Sequence, residues 1–231
     1  MTMALSYSRI SDARQCMRKF KLKYIDKAPN FQMKDEDKSP ALVRGGNIHK
    51  ALEAYVVARL RNESHQPTLP EVLKTAPLID GIMANYNVNP ERQIAIDENF
   101  KEVSWFAKDA WFRVIYDLVG FGQDLLLGDY KTGKLTDYEG TKTQLGQLHM
   151  SGLVGMSLWP EYEECRCLYI YVDHKKVVPC QLSRVSDFEE MKEKLQEEHY
   201  NVNAERNFFP TKNRFCIYCD ALKEQCVNSK K

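Results

Sequence analysis

Apolar positions recur at helical spacing from Ser8 to Ile25, in SRISDARQCMRKFKLKYI, and predict a helix with the early serines as caps. The next stretch, DKAPNFQMKDEDKSP, is polar and carries prolines, so it reads as an exposed loop. Helical spacing returns in ALVRGGNIHKALEAYVVARLR, across a glycine pair, and again in LPEVLKTAPLIDGIMANYN. Beyond Pro90 the pattern changes. QIAIDENFKEVSWF, AWFRVIYDLVGF and DLLLGDYKT are rich in β-branched and aromatic residues and predict three strands. TQLGQLHMSGLVGMSL returns to helix. CRCLYIYVD and KKVVPCQLS form a strand pair around Asp173 and His174, and DFEEMKEKLQEEHYN is a charged amphipathic helix. With no internal repeat and no low-complexity linker, this order of elements predicts one α/β domain.

Composition narrows the class without naming a function. A chain of 231 residues with 43% hydrophobic and 28% charged positions can bury a core, which excludes a disordered protein. No apolar run approaches a membrane span, and MTMALSYSRISDARQ lacks the basic-then-apolar pattern of a secretory signal. The expectation is a soluble protein of the cytoplasm, with no membrane partner. Seven cysteines, an odd number, then argue for metal or core roles over a disulfide framework. The net charge of +1 neither requires nor excludes a nucleic-acid partner.

Candidate chemistry begins at LLLGDYKTGK, where an apolar strand ends on an acid and a lysine. A hairpin turning near Gln123 sets Asp117 opposite Asp129. Opposed residues have β-carbons roughly 5 Å apart. Lys131 shares the face of Asp129 because side chains alternate along a strand. Two neighbouring carboxylates repel unless a cation lies between them, and hard oxygen ligands suit Mg²⁺ or Mn²⁺. Lys131 would hold a nucleophilic water or offset charge developing on a phosphate. The alternative is a solvated hairpin face with a modest ion pair.

Two helical segments offer companions. In RGGNIHKALEAY, His49 and Glu53 lie four residues apart on one face, and an imidazole at His49 would favour Mn²⁺. In TQLGQLHMSG, Gln144 and Gln147 lie one turn apart, either able to hold a water or phosphate oxygen. In the tail, Cys216, Cys219 and Cys226 form a C-x2-C-x6-C cluster suited to a metal centre, with Cys16 as fourth ligand. Cys165, Cys167 and Cys180 sit in apolar runs as core residues. Spacing alone leaves zinc and an iron-sulfur cluster both open.

Taken in order, LSYSRISDARQCMRKFKLKYI, GGNIHKALE, RVIYDLVG, LLGDYKTGK, QLHMSGL and CIYCDALKEQC resemble the RecB-like branch of the PD-(D/E)XK nucleases. The likeness is to the subset with an iron-sulfur clasp, which includes CRISPR-adaptation and phage exonucleases. The resemblance implies a restriction-endonuclease-like α/β core, a mixed sheet flanked by helices. It implies a single nuclease domain over 1–231, with 1–26 and 204–231 forming the clasp. It assigns His49, Asp117, Asp129 and the Tyr130 carbonyl as ligands of Mg²⁺ or Mn²⁺. Lys131 becomes the active-site lysine and Gln147 the family's glutamine. Cys16, Cys216, Cys219 and Cys226 would hold a [4Fe-4S] cluster, with zinc the less favoured metal.

The implied substrate is DNA, single-stranded or with free ends, and the implied partner is a recombination or CRISPR-adaptation protein in a bacterial or phage-infected cell. Arg9, Arg14, Arg18, Lys19, Lys21, Lys23 and Lys27, with Lys212, Arg214 and Lys223, provide charge for a phosphate backbone. Phe20, Tyr24, Phe215 and Tyr218 are interleaved with them and would stack on bases. The competing expectation is a DNA-binding or assembly module whose clasp is structural and which cleaves little.

Overall fold

In the computed structural model, residues 3–32, 38–64, 66–135 and 144–230 are described. The chain divides into two compact units, Pro40–Leu195 and the pair of segments Met1–Ser39 and Gln196–Lys231. No helix among the described residues is long and apolar enough to cross a membrane.

The first segment opens with α1 (Tyr7–Gln15), capped by the Ser6 hydroxyl, which accepts from the Arg9 N–H. The expected continuous helix does not form. Cys16 is extended (φ −169°, ψ 115°), and α2 (Met17–Phe20) and a wider turn (Lys21–Ile25) follow it. The tail supplies the reason for the break. Asn213 Nδ2 donates to the Gln15 carbonyl at 3.0 Å, and the Thr211 N–H points to Cys16 Sγ at 3.4 Å, so these groups are bonded outside the helix.

In the second unit, α3 (Pro40–Leu60) and α4 (Pro70–Asn85) precede a six-stranded mixed sheet. Its strands are β1 (Asn87–Ile96), β2 (Glu102–Val103), β3 (Phe112–Phe121), β4 (Leu125–Lys131), β5 (Glu164–Tyr171) and β6 (Lys176–Ser183). Between β4 and β5 runs α5 (Gln147–Leu158), and α6 (Glu189–Ala204) follows β6. The spatial order is β2-β1-β3-β4-β5-β6. Among the described residues only the β4–β5 pairing is parallel, and α5 lies in its crossover, as a parallel connection requires. QIAIDENFKEVSWF proves to be two strands, with Asp97 at the turn accepting from the Asn99 and Lys101 N–H groups.

Helices cover both faces. Leu126, Tyr130, Leu168, Ile170 and Val172 pack with Ile48, Leu52 and Val56 of α3 and Val72, Ile79 and Ile82 of α4. Their neighbours of opposite parity face α5, which comes close because it presents glycines. A Cβ at Gly152 would stand 2.9 Å from Cys167 Sγ, and one at Gly155 would stand 2.7 Å from Leu127 Cδ1. Cys165 and Cys167 are accordingly core residues, as their apolar surroundings predicted.

Candidate active site

The β3–β4 hairpin turns where the pattern placed it. Its pairing runs from Phe121↔Leu125 to Leu118↔Gly128, a register whose next step is Asp117 with Asp129. There the strands part. Asp117 Oδ2 accepts the Tyr130 N–H at 2.6 Å, so a side chain takes the bond a neighbouring backbone carbonyl would otherwise take. Asp117 Oδ1 lies 3.0 Å from His49 Nδ1, carried on α3. Gly45, one turn earlier on α3, allows the helix to approach the end of β4, since a Cβ there would stand 3.1 Å from Thr132 Oγ1.

Asp129, Lys131 and Gln147 close a triangle. Lys131 Nζ lies 2.6 Å from Asp129 Oδ2 and donates to Gln147 Oε1 at 2.9 Å. Gln147 Nε2 donates to Asp129 Oδ1 at 2.8 Å. The ammonium also sits 4.7 Å from the Tyr169 ring centre. Tyr169 was not foreseen, because only the parallel pairing Asp129↔Tyr169 brings it near. Beyond Lys131 the chain turns at Gly133 (φ +98°), whose N–H is bound by Asp173 Oδ2 at 2.7 Å and whose carbonyl accepts from His174 Nε2 at 2.7 Å.

Electrostatics follow from this geometry. Burial raises the Asp129 carboxyl above its ordinary pKa; Lys131 opposes the rise and Asp117 reinforces it. Burial alone would lower the His49 imidazole, but the Asp117 bond and charge, helped by Asp129, raise it overall. Burial also pushes the Tyr130 phenol far up, and its hydroxyl lies in the core with no hydrogen-bond partner among the described residues. Asp129 Oδ2 is likewise buried, with the Lys131 ammonium 2.6 Å away. Two acids side by side, one of them buried, offer the hard oxygen donors that a divalent cation takes. Among the described residues, no group of three His, Cys, Asp or Glu is arranged to hold a metal.

The structure thus brings together His49, Asp117, Asp129, Tyr130, Lys131 and Gln147. Gln144 does not join Gln147 on a helical face, because α5 begins at Gln147. In the other unit, Cys16, Cys216, Cys219 and Cys226 line one cavity, all half-buried and none in a disulfide. Backbone N–H groups point at two of the sulfurs, Thr211 to Cys16 and Asn213 to Cys216, each at 3.4 Å. The structure gathers the four cysteines that the sequence singled out around one cavity, but among the described residues it does not arrange three of them as metal ligands.

The expected DNA-facing aromatics divide. Phe20 is buried and Tyr24 donates to Asp12 Oδ2 at 2.8 Å, so both belong to the packing of their unit, a correction to the stacking role expected of them. Helical periodicity cannot separate a core aromatic from a stacking one. Phe215 and Tyr218 are exposed. The first-helix charges are largely committed: Arg14 to Glu198, Lys19 and Lys23 to Asp12, Lys21 to Asp26.

A mixed sheet between helices, with acids and a lysine where two central strands part, is a restriction-endonuclease-like α/β fold. The chain belongs to the PD-(D/E)XK nuclease superfamily, whose family model matches residues 4–226. Nucleases of this superfamily typically use Mg²⁺ or Mn²⁺. Among solved structures, the chain resembles a candidate exonuclease from Eubacterium rectale at 11% identity and a TM-score of 0.52, covering 94% of this chain and 86% of that one. It also resembles the protein SSO0001 at 13% identity and a TM-score of 0.46, covering 95% and 85%. At such identities the likeness concerns the fold. No curated protein matches the chain.

Proposed function

We propose that this protein is a metal-dependent deoxyribonuclease of the RecB-like branch, acting as an exonuclease on single-stranded DNA or DNA ends. The observation that carries the reading is the closed contact of Asp129, Lys131 and Gln147 beside the Asp117–His49 pair. Asp117, Asp129, the Tyr130 carbonyl and His49 would hold Mg²⁺ or Mn²⁺. When bound, the ion lowers the pKa of a coordinated water and polarises the scissile phosphate. Lys131 orients the attacking water or offsets charge on the phosphate, and Gln147 fixes the lysine by its amide oxygen.

The cysteine group would hold a [4Fe-4S] cluster, with zinc as the competing occupant. Exposed Phe215 and Tyr218, with the Arg214 guanidinium 4.9 Å from the Phe215 ring centre, support base stacking on a single strand. A nuclease of this substrate class would work beside a recombination or CRISPR-adaptation protein in the cytoplasm of a bacterial or phage-infected cell.

The test is digestion of end-labelled linear and circular single-stranded DNA with Mn²⁺. Linear substrate should be degraded from its ends and the circle spared, with activity abolished by EDTA. Asp129→Ala and Lys131→Ala should each lose at least about a hundredfold in rate while keeping the wild-type circular dichroism. Retained cleavage in both variants overturns the site. Brown, iron-containing protein from anaerobic purification supports the cluster, and colourless zinc protein replaces it.

A further inference from the structure

The neighbouring strands β1 and β3 change sides at one level of the sheet. Val88 of β1 and Leu118 of β3 pack into the cluster under α3 and α4. Arg92 of β1, an even number of residues from Val88, instead lies 5.6 Å from the Trp159 ring centre at the end of α5. Tyr116 of β3, two residues from Leu118, donates its hydroxyl to the Ser151 carbonyl on α5 at 2.8 Å. Strict alternation would keep each pair on one face. The register is nevertheless unchanged across the break, Pro90↔Leu118 on one side and Arg92↔Tyr116 on the other. The level between them holds Glu91 and Asp117, which do not pair, and Glu91 has φ +22°. A positive φ is uncommon for a residue with a Cβ and persists where the surroundings impose it.

We propose that the left-handed turn of the backbone at Glu91 makes it a positioning residue that rotates Asp117 out of either face and into the plane of the sheet. In-plane, one carboxylate reaches in two directions: Oδ1 to His49 on α3, and Oδ2 to the Tyr130 N–H at the edge of β4. A regular β3 would point Asp117 wholly toward one layer of helices and break one of these bonds. The device acts through the backbone. It therefore depends on tolerance of a positive φ at position 91 and not on the Glu91 carboxylate. The proposal deepens the nuclease reading, and its structural half stands apart from activity.

The test compares Glu91→Gly, Glu91→Asn and Glu91→Gln with Glu91→Val. Glycine and asparagine accept positive φ, glutamine removes only the charge, and the β-branched valine favours the extended backbone. The first readout is the His49 Nδ1 proton by NMR, shifted downfield by its bond to Asp117. The second is the kcat and KM for DNA with Mn²⁺. Glycine, asparagine and glutamine should retain the proton signal and the wild-type kcat. Valine should lose the signal and about a hundredfold in kcat with KM unchanged. Should Glu91→Val not fold, Glu91→Thr applies the same pressure with a smaller side chain.

Retention of the signal in the β-branched variants overturns the proposal. So does its loss in Glu91→Gly and Glu91→Gln, which would assign the effect to the carboxylate. If wild-type protein cleaves no DNA, the nuclease reading fails, and the NMR comparison still decides the role of Glu91.

Discussion

Asp12 shows how one residue can bind a segment together. Burial would raise its pKa, but hydrogen bonds from Lys19, Lys23 and Tyr24 outweigh that and hold it below its ordinary value. A carboxyl depressed in the folded state contributes stability above its unfolded pKa and loses it as pH falls through the folded value. Asp12→Asn is therefore expected to destabilise the protein at pH 7 by about 1–3 kcal/mol, with the deficit shrinking as pH falls toward the depressed folded-state pKa. Urea melts at pH 7 and pH 3 measure this. The residues of the candidate site were legible by a simpler rule. Asp129 and Lys131 share a face because strand period is two, and Asp117 follows from the hairpin's centre. Glu91 left no such trace, since a positive φ in a glutamate has no compositional signature.

Among the elements, α5 depends most on what its sequence lacks. Gly152 in a helix interior would normally gain up to about 1 kcal/mol from replacement by alanine. Here the added Cβ meets Cys167 Sγ at 2.9 Å and Leu182, and the helix also delivers Gln147 to the triangle. Gly152→Ala is expected to be destabilising by about 1–3 kcal/mol, read as a lower thermal midpoint. Cleavage by that variant should fall at temperatures where it remains folded, because Gln147 is displaced from Lys131. The strands and most helices could be read from periodicity. Several boundaries could not: the split of QIAIDENFKEVSWF into two strands, the start of β1 at Asn87, the start of α5 at Gln147, and the break at Cys16, where Asn213 from the tail bonds the Gln15 carbonyl.

For the whole molecule, the decisive fact is that sequence ends distant from one another build one unit. Leu22 and Ala28 pack against Ala221, with Phe31, Cys219 and Cys226 around them, and Asn30 bonds Gln225 at 3.0 Å. Deleting 205–231 is expected to strip hydrogen-exchange protection from the amides of 17–32, measured by mass spectrometry. Protection retained there would mean the N-terminal segment folds without the tail.

The sequence alone determined most element types, the α/β class and the hairpin centre, and it singled out the acids, lysine, histidine and cysteines as candidates, because these follow from local period, turn chemistry and residue type. Tertiary structure decided which aromatics are buried, which basic residues are already paired, and how Asp117 touches α3 and β4 together. Those outcomes depend on contacts between residues far apart in the chain, where burial and pairing are settled by neighbours that no local pattern records.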